Sequence, residues 1–276
     1  MIKTRLIETE EGFYVIEGAV CSYTGLCHVY FLVDTGASNS IFAADVADYI
    51  KDDSLIEELG DTISTKTGMA SLIIQNVRIN MRGHFVERET LPSIKGYDIH
   101  GILGSDFFLA NNMVLDFSTN ELYQHQFRNN ETKRMDYYSM KLGLDSYRVP
   151  MIVLESNGIC FFFILDSGSN YNVISSCSLK CIQESIKVNT GTFYIQSLGT
   201  RSWGTEYTVP FKIHSFAGEK SVIERFVCPY NRLSIIKSQH TLFDINGIIG
   251  TAFLRKHKVV LDYHQKIFLF NGGLMC

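Results

Sequence analysis

The stretch Phe31-Leu32-Val33-Asp34-Thr35-Gly36-Ala37-Ser38 decides the fold of this chain. An apolar run with strand character ends in a single carboxylate, which is followed by a small hydroxyl residue, a glycine and further small residues. An ionised Asp at the end of a hydrophobic strand is costly to bury unless donors or a second titrating group compensate. The Thr35 hydroxyl and the Gly36 backbone N–H are such donors, and the glycine lets the chain turn closely around the carboxylate.

A second copy of this pattern, Phe162-Phe163-Ile164-Leu165-Asp166-Ser167-Gly168-Ser169, follows close to half a chain length later. One Asp-Thr-Gly alone would be weak evidence, because Asp and Gly together usually mark a turn. The repeat extends further, since Gly101–Phe108 is echoed by Gly247–Leu254, and Val114–Phe117 then falls on Val260–Tyr263 without a gap. Each half therefore contains an apolar strand, the triad, a long middle, two apolar residues before a glycine, a short helical segment and a closing strand.

This doubled order of motifs resembles the retropepsin-type aspartic proteases, the family of the retroviral proteases and their cellular and bacterial relatives. The resemblance covers nearly the whole chain and implies two such lobes fused in one polypeptide, an organisation similar to that of pepsin. It implies an all-β fold with short helices, in which lobes 1–132 and 133–276 are related by a pseudo-twofold axis. The polar stretch Arg128–Lys133 lacks apolar periodicity and is the predicted linker.

Composition favours a compact soluble protein and excludes several function classes. Of the 276 residues, 46% are hydrophobic and 20% are charged, values typical of a globular chain long enough for two cores. The net charge of −4 and the lack of a basic stripe argue against a nucleic-acid partner. The longest strongly apolar run, Ile159–Leu165, is too short to span a bilayer, and acidic residues interrupt the N-terminus where a secretory signal would be apolar. Seven cysteines, an odd number, favour a reduced cytoplasmic compartment.

The coarse secondary structure repeats in the two halves. Gly12–Val20 and Val29–Val33 are predicted to form a hairpin whose second strand ends at the first triad. Val149–Leu154 and Cys160–Leu165 form its counterpart, with a turn at Asn157-Gly158 between them. Between the first triad and the next hairpin, Ile41–Leu59 has apolar residues at helical spacing and predicts one or two short helices.

Two further hairpins are candidates for flaps that close over a substrate. Thr62–Asn80 carries Gly68 near its predicted tip, and Phe193–Ile213 carries Gly199 at a matching distance from its triad. A tight hairpin tip needs a positive φ, which glycine adopts readily. The resemblance implies a flap in each lobe, and the longer second lobe predicts an inserted loop around Asn231–Thr241.

The resemblance assigns the chemistry to Asp34 and Asp166. Two carboxylates about 3 Å apart cannot both ionise, so they share one proton. One carboxylate then acts as general base on a bound water, while its protonated partner polarises the scissile carbonyl of a peptide or protein substrate. Attack of the water gives a tetrahedral diol, and the dyad returns a proton to the leaving amine, so no metal, cofactor or covalent intermediate is needed. Because both lobes lie in one chain, the protein is expected to act as a monomer.

Neighbouring residues are assigned to support this dyad. In the family, Thr35 and Ser167 hydrogen-bond to the backbone of the opposite lobe, while Gly36 and Gly168 place their N–H groups beside the carboxylates. Lobe two has Ser169 where lobe one has alanine, and its hydroxyl is predicted to donate to the lobe-two carboxylate. The supporting ion pair of retroviral proteases has no equivalent, because its positions hold Ser38, Ser105, Asn170 and Thr251.

Each of these signals also has a simpler explanation. Asp34 and Asp166 could be turn residues of a duplicated fold, although their matched flanks favour catalysis. A catalytically silent peptide-binding module with the same groove is the alternative function, and retention of both carboxylates favours the enzyme. Structural roles are favoured for Asp106, Asp116, Asp262 and His100. For Trp203 and Tyr207, packing in the core or in a strand explains the residues at least as well as contact with substrate does. No second ligand pair supports a metal site at Cys177 and Cys181.

Overall fold

The computed structural model describes residues 1–22, 25–58, 61–125, 137–144, 148–182, 186–197, 200–216, 218–230 and 245–271. In its first half the elements are β1 (Lys3–Arg5), β2 (Ile7–Glu8), β3 (Tyr14–Ser22), β4 (Gly25–Val33), β5 (Ile41–Ala43), β6 (Ala47–Glu58), β7 (Asp61–Ile74), β8 (Val77–Val86), β9 (Ile99–Leu103), α1 (Ser105–Ala110), β10 (Met113–Asp116) and β11 (Glu121–Gln124), with 3₁₀ helices at Ala44–Val46 and Arg88–Thr90.

In the second half they are β12 (Tyr137–Lys141), β13 (Gly143–Leu144), β14 (Pro150–Ser156), β15 (Ile159–Leu165), β16 (Val173–Ile174), α2 (Ser176–Cys181), β17 (Lys187–Ser197), β18 (Thr200–Ser215), β19 (Gly218–Pro229), β20 (Ile245–Ile249), α3 (Thr251–Lys256), β21 (Val260–Asp262) and β22 (Ile267–Asn271). No helix among the described ranges is long and apolar enough to cross a membrane.

The strands form two equivalent eight-stranded sheets. Their orders are β2-β3-β4-β9-β5-β8-β7-β6 and β13-β14-β15-β20-β16-β19-β18-β17, so each strand of lobe one has a counterpart in lobe two. The predicted all-β, two-lobed fold with short helices is confirmed. The predicted boundary at 132/133 and the linker at 128–133 lie outside the described residues.

A third sheet joins the two lobes. Its six strands run β1-β11-β10-β21-β22-β12, with three strands from each half of the chain. The lobes meet where β10 and β21 pair antiparallel with Leu115 opposite Leu261. These two leucines are equivalent residues of the repeat, so the pseudo-twofold axis passes through this pair.

The strands that carry the triads are buried on both faces at their ends. The last residues of β4 and β15 are covered on both sides, and β9 is buried along its whole length. Both triad strands pair in parallel with the strand before the second glycine motif, β4 with β9 and β15 with β20. This burial explains why the sequence shows continuous apolar runs there instead of an alternating pattern.

Two tight turns that connect paired strands are formed by residues with positive φ angles. Asn157 and Gly158 have φ of 52° and 76°, which confirms the turn predicted between β14 and β15. Gln75 and Asn76 have φ of 50° and 62° and connect β7 to β8. Both are consistent with type I′ turns, whose twist suits a hairpin.

The region after the first triad differs from its prediction. One or two short helices are expected at Ile41–Leu59, and within residues 41–58 the structure has the 3₁₀ helix Ala44–Val46, while β5 and the long strand β6 occupy the rest, so the prediction is wrong for most of this segment. Pairing of β6 with β7 satisfies its backbone groups across the hairpin, and this non-local pairing overrides an apolar spacing that suits a helix.

The first flap assignment also needs correction. Gly68 is a buried residue in the body of β7, between Ile50 of β6 and Gly83 of β8, and the β6–β7 ladder continues to Glu58 opposite Asp61. Gly68 is therefore not the tip of a hairpin. In lobe two, β17 and β18 form the predicted hairpin with Ser197 opposite Thr200. Gly199 and the predicted loop at 231–241 lie outside the described residues.

Candidate active site

The two triads lie where the strand ends of the lobes meet. The backbone N–H of Asp34 donates to the Leu103 carbonyl at 3.1 Å, and that of Asp166 donates to Ile249 at 2.9 Å. Each aspartate is thereby attached to the strand that leads into the second glycine motif of its own lobe. The apolar run before each triad and the apolar run before each glycine are thus neighbours in the sheet.

In each lobe the last glycine of the second motif, Gly104 or Gly250, packs directly against the backbone of the loop that follows the triad. A Cβ added to Gly104 would lie 2.8 Å from the backbone of Asn39, and one added to Gly250 would lie 2.4 Å from the Tyr171 carbonyl oxygen. Such distances leave no room for a side chain, so the motif glycines are required by close backbone approach.

A polar side chain that the sequence analysis did not identify holds each of these glycines. Ser40 Oγ accepts the Gly104 N–H at 3.0 Å, and Asn172 Oδ1 accepts the Gly250 N–H at the same distance. Ser40 also donates to Asp106 Oδ1 at 2.6 Å, which gives Asp106 a local structural role. Ser40 and Asn172 occupy the same offset after their aspartates, and this recurrence was the available sequence signal.

Four hydrogen bonds join the triads across the lobe boundary. The N–H of Thr35 donates to Ser167 Oγ and the N–H of Ser167 donates to Thr35 Oγ1, both at 3.0 Å. The two hydroxyls then donate to main-chain carbonyls of the opposite strand, Thr35 to Leu165 at 2.7 Å and Ser167 to Val33 at 2.6 Å. Both hydroxyl residues are fully buried, so each bond lies in an environment of low dielectric constant. A donor or acceptor left without a partner there would lower the free energy of unfolding.

This arrangement brings the two carboxyl groups into direct contact. The side chains of Asp34 and Asp166 are hydrogen-bonded to each other, and the residues are only 5% and 8% exposed. A Cβ added to Gly36 would lie 2.5 Å from Cγ of the lobe-two carboxylate, and one added to Gly168 would meet the lobe-one carboxylate. Each triad glycine therefore makes room for the carboxylate of the other lobe.

Backbone donors approach the carboxylates from the triad loops. Asp34 Oδ1 accepts the N–H groups of Gly36 at 2.9 Å and Ala37 at 3.0 Å. Asp166 Oδ1 accepts the Gly168 N–H at 2.7 Å. These donors favour the charged form of the groups they contact.

Burial nevertheless dominates the electrostatics of the pair. Loss of water raises the pKa of Asp34 above its ordinary value, and hydrogen bonds from the Asp166 side chain and from nearby backbone N–H groups oppose this rise. Two carboxyl groups in hydrogen-bond contact titrate as a unit, so the first proton to leave belongs to the pair. The arrangement can hold one shared proton and one negative charge.

The predicted hydrogen bond from Ser169 to Asp166 is wrong. The Ser169 hydroxyl donates to the Tyr171 carbonyl oxygen at 2.9 Å. A hydroxyl has a single proton, so this bond uses the only one that Ser169 could give. Ser169 therefore holds the loop after the triad.

The positions of the missing retroviral ion pair make other contacts. Ser105 Oγ donates to the Thr35 carbonyl at 3.2 Å, within lobe one. Asn170 of lobe two donates from Nδ2 to the carbonyl of Glu11 at 3.3 Å. The N-terminal segment of lobe one thus reaches the triad loop of lobe two, and an Arg255–Glu8 ion pair reinforces this contact.

The remaining candidates lie away from the dyad contacts. Asp116 and Asp262 accept backbone N–H groups of the turns that follow them, and the His100 ring contacts the Asp98 carbonyl. Trp203 is 55% exposed on β18, whereas Tyr207 packs against the core. Cys177 and Cys181 are exposed on α2.

Comparison with known proteins supports the fold alone. No family model matches the sequence, and no curated protein matches it significantly. The structure is similar to that of basic 7S globulin from soybean, with a TM-score of 0.59 and 8% identity over 99% of this chain and 96% of that one. This likeness shows an aspartic-protease-like fold.

Proposed function

We propose that this protein is a retropepsin-type aspartic endopeptidase with both catalytic lobes in one chain. The observation that supports this proposal best is the contact between Asp34 and Asp166, built symmetrically by the cross-lobe bonds of Thr35 and Ser167. A fold that needed these aspartates only as turn residues would have no reason to bury two carboxyl groups against each other. Such burial is unfavourable, and it is typical of catalytic dyads.

In the proposed mechanism the ionised member of the pair takes a proton from a water molecule bound between the two carboxyl groups. The protonated member donates a hydrogen bond to the carbonyl oxygen of the scissile peptide and stabilises charge as it develops. As the water attacks, the protonated member transfers its proton to the carbonyl oxygen, which gives a tetrahedral diol and leaves the proton taken from water on the dyad. The dyad delivers that proton to the leaving amine, the C–N bond breaks, and a diol hydroxyl returns its proton to the dyad as the carboxylic acid forms.

The proposed substrate is a peptide or protein strand bound between the lobes. The β6–β7 and β17–β18 hairpins are the proposed flaps, because they form the last two strands of their sheets at equivalent positions in the two lobes. We also propose that the enzyme acts as a monomer in the cytoplasm, since one chain supplies both triads and the cysteine content suits a reducing compartment.

Incubation with a diverse peptide library, followed by mass spectrometry, tests the activity. Wild type should generate new termini, and Asp34→Asn and Asp166→Asn should each generate none while retaining the wild-type circular dichroism spectrum. Asp98→Asn is the matched control, because Asp98 is exposed and ion-paired with Arg88. Peptide binding without cleavage by wild type would favour the silent binding module, and turnover by either dyad variant would remove that residue from the mechanism.

A further inference from the structure

Glu206 is an acidic residue on β18, in the hairpin proposed as the flap of lobe two. The residue is buried, with 8% of its surface exposed. Its Oε2 accepts a hydrogen bond from the Asn189 side-chain N–H₂ at 2.8 Å. Its Oε1 accepts no hydrogen bond from the described residues, and 10% of the side chain remains open to solvent. One oxygen of a buried carboxylate is therefore available to a donor that enters from outside.

The Arg225 guanidinium is a weak partner for this carboxylate. It lies 3.9 Å from Oε2, beyond hydrogen-bond distance, and the Arg225 side chain is 77% exposed. Glu224 on the neighbouring strand β19 is also buried, and its Oε1 has Lys256 Nζ at 2.7 Å and His257 Nε2 at 2.6 Å. Buried carboxylates are normally paired in this way. The carboxylate of Glu206 thus lacks the close cation that the neighbouring glutamate has.

Glu206 lies on the face of the lobe-two sheet that is turned away from the shared six-stranded sheet. It is opposite Val227, and directly opposed residues share a face. Val227 packs in a small cluster with Ile248, whereas Ile249 packs in the main core with residues of the shared sheet. Successive side chains of a strand alternate between faces, so the small cluster and the main core lie on opposite sides of the sheet.

The dyad lies on the same face as this small cluster. Leu165 packs in the main core, and continued alternation places the side chain of Asp166 on the opposite side. Phe193 of β17 and Tyr171 of the loop after the triad both pack against the small cluster. Phe193 is opposite the residue two positions before Glu206, which puts both side chains on one face of the hairpin. Glu206 therefore borders the side of the lobe on which the proposed substrate would lie.

Lobe one has no carboxylate at the equivalent position. In lobe two, Val227 pairs with Val173, which follows its dyad aspartate at the same offset as Ile41 does in lobe one. Ile41 pairs with His84, and His84 is opposite Thr67. Thr67 therefore stands where lobe two has its buried glutamate. The sheet does not require an acidic residue at this position.

We propose that Glu206 gives this protein a preference for peptides with a lysine or arginine side chain at one position beside the scissile bond. The proposal rests on the proposed function, because it assigns a specificity to the same groove. A cationic side chain that enters there donates to Oε1 in a charge-assisted hydrogen bond. Its aliphatic stem covers the apolar cluster that contains Val227 and Phe193. Arg225 competes for the same carboxylate and, being largely exposed, has room to turn outward.

Binding of fluorescein-labelled octapeptide libraries tests the proposal. In each library one position is fixed as lysine, alanine or glutamate, and all others are degenerate. The protein carries Asp34→Asn so that bound peptides stay intact, and fluorescence anisotropy gives the Kd. At one position lysine should tighten binding about tenfold over alanine, the order expected of one charge-assisted hydrogen bond, and glutamate should weaken it. Adding Glu206→Gln, which keeps an acceptor for Asn189, should bring the ratio of the two Kd values to about one.

Arg225→Gln distinguishes a substrate ligand from a structural ion pair. Removal of the competing cation should increase the preference for lysine, whereas Glu206→Gln should abolish it. Loss of a structural ion pair would instead change binding in the same direction in both variants. Glu219→Gln is the matched control, because Glu219 lies on β19 with its side chain 45% exposed and ion-paired with Lys212. It should leave the preference for lysine unchanged.

Lack of a lysine preference at every position, or a preference that Glu206→Gln retains, would overturn the proposal. Peptide cleavage by wild type decides the proposed function in a separate measurement. A protein that cleaves peptides without this preference remains an endopeptidase, and one that binds lysine peptides through Glu206 without cleaving them is the silent binding module.

Discussion

Asp34 and Asp166 follow equivalent strands, yet the loops after them treat the two carboxylates differently. In lobe one the N–H groups of Gly36 and Ala37 both donate to the carboxylate. In lobe two the Gly168 N–H donates to the carboxylate, while the next N–H donates to the main-chain carbonyl of Asp166 at 3.3 Å. The scaffold of the dyad is therefore symmetric, and its immediate electrostatic environment is not.

The symmetric part follows from steric and hydrogen-bond requirements that are the same in both lobes. Each lobe must let a glycine face the opposite carboxylate, and each must give a hydroxyl to the backbone of the other. The asymmetric part depends on where the loop after the lobe-two triad directs the N–H and the hydroxyl of Ser169. Neither group is needed to bring the two carboxyl groups together. Substitutions at equivalent positions can separate these two parts.

The largest effect is expected from adding a methyl group at either triad glycine. In Gly36→Ala and Gly168→Ala the new Cβ would lie 2.5 Å from Asp166 Cγ and 2.3 Å from Asp34 Oδ2, so the carboxyl groups must separate. We expect peptide cleavage to be lost and Tm to fall in both variants, as in overpacked cores.

Gly143→Ala is the control for these glycine variants, since a Cβ there meets nothing closer than 3.3 Å. Activity assays and thermal unfolding of the three proteins check the prediction. Wild-type activity in one triad variant but not in the other would break the proposed symmetry of the scaffold.

The next effect concerns the hydroxyls that cross the lobe boundary. Ser167→Ala leaves the Thr35 N–H and the Val33 carbonyl buried without their partner, at a cost of roughly 2–4 kcal/mol of unfolding free energy. Thr35→Ser keeps both bonds of its hydroxyl and should cost far less. Urea denaturation of the two variants measures the difference, and equal destabilisation would show that the Thr35 methyl group contributes as much as the two hydrogen bonds of the Ser167 hydroxyl.

The pH dependence of stability measures how burial changes the protonation of the dyad. Burial raises the pKa of Asp34 above its ordinary value of 3.8, so the folded state binds this proton more tightly than the unfolded chain does. The stability from this proton is complete below the unfolded pKa and is lost as pH rises through the folded value. Asn resembles the protonated acid and does not titrate. Asp34→Asn should therefore have a higher Tm than wild type at neutral pH, with the difference shrinking towards pH 3.

Tm measured against pH for wild type, Asp34→Asn and Asp98→Asn checks this expectation. Asp98 is exposed, so its substitution should not reproduce the pH-dependent gain. A wild type that is the more stable protein at neutral pH would mean that the backbone donors outweigh the loss of water around the dyad.

The sequence was sufficient for the parts of the site that depend on local steric requirements repeated in both halves. An apolar run, a carboxylate and a glycine recur with a second glycine motif, and this recurrence predicted that Asp34 and Asp166 meet. The position of Gly68 could not be predicted this way, because it depends on how far β6 and β7 pair along each other. The length over which two strands pair is set by contacts between different segments of the chain. The spacing of apolar residues within one segment does not reveal this length, because the same spacing is also compatible with a helix.

The smallest effect should separate the hydroxyl of Ser169 from the electrostatics of the dyad. The sequence pattern suggested that this hydroxyl donates to Asp166, whereas in the structure it donates to the Tyr171 carbonyl. Loss of a hydrogen bond to a charged group would move the acidic limb of kcat/KM by about one pH unit towards higher pH, because the anion would become easier to protonate. We expect Ser169→Ala to leave that limb in place and to lower the unfolding free energy by roughly 0.5–1.5 kcal/mol, the value of one neutral hydrogen bond. Carbon-13 titration of the labelled carboxyl groups gives the same information if hydrolysis is too slow to follow. A shift near one pH unit by either method would show that the Ser169 hydroxyl donates to the Asp166 carboxylate and not to the Tyr171 carbonyl. The lobe-two carboxylate would then have a second hydrogen-bond donor, as the lobe-one carboxylate has in the Ala37 N–H.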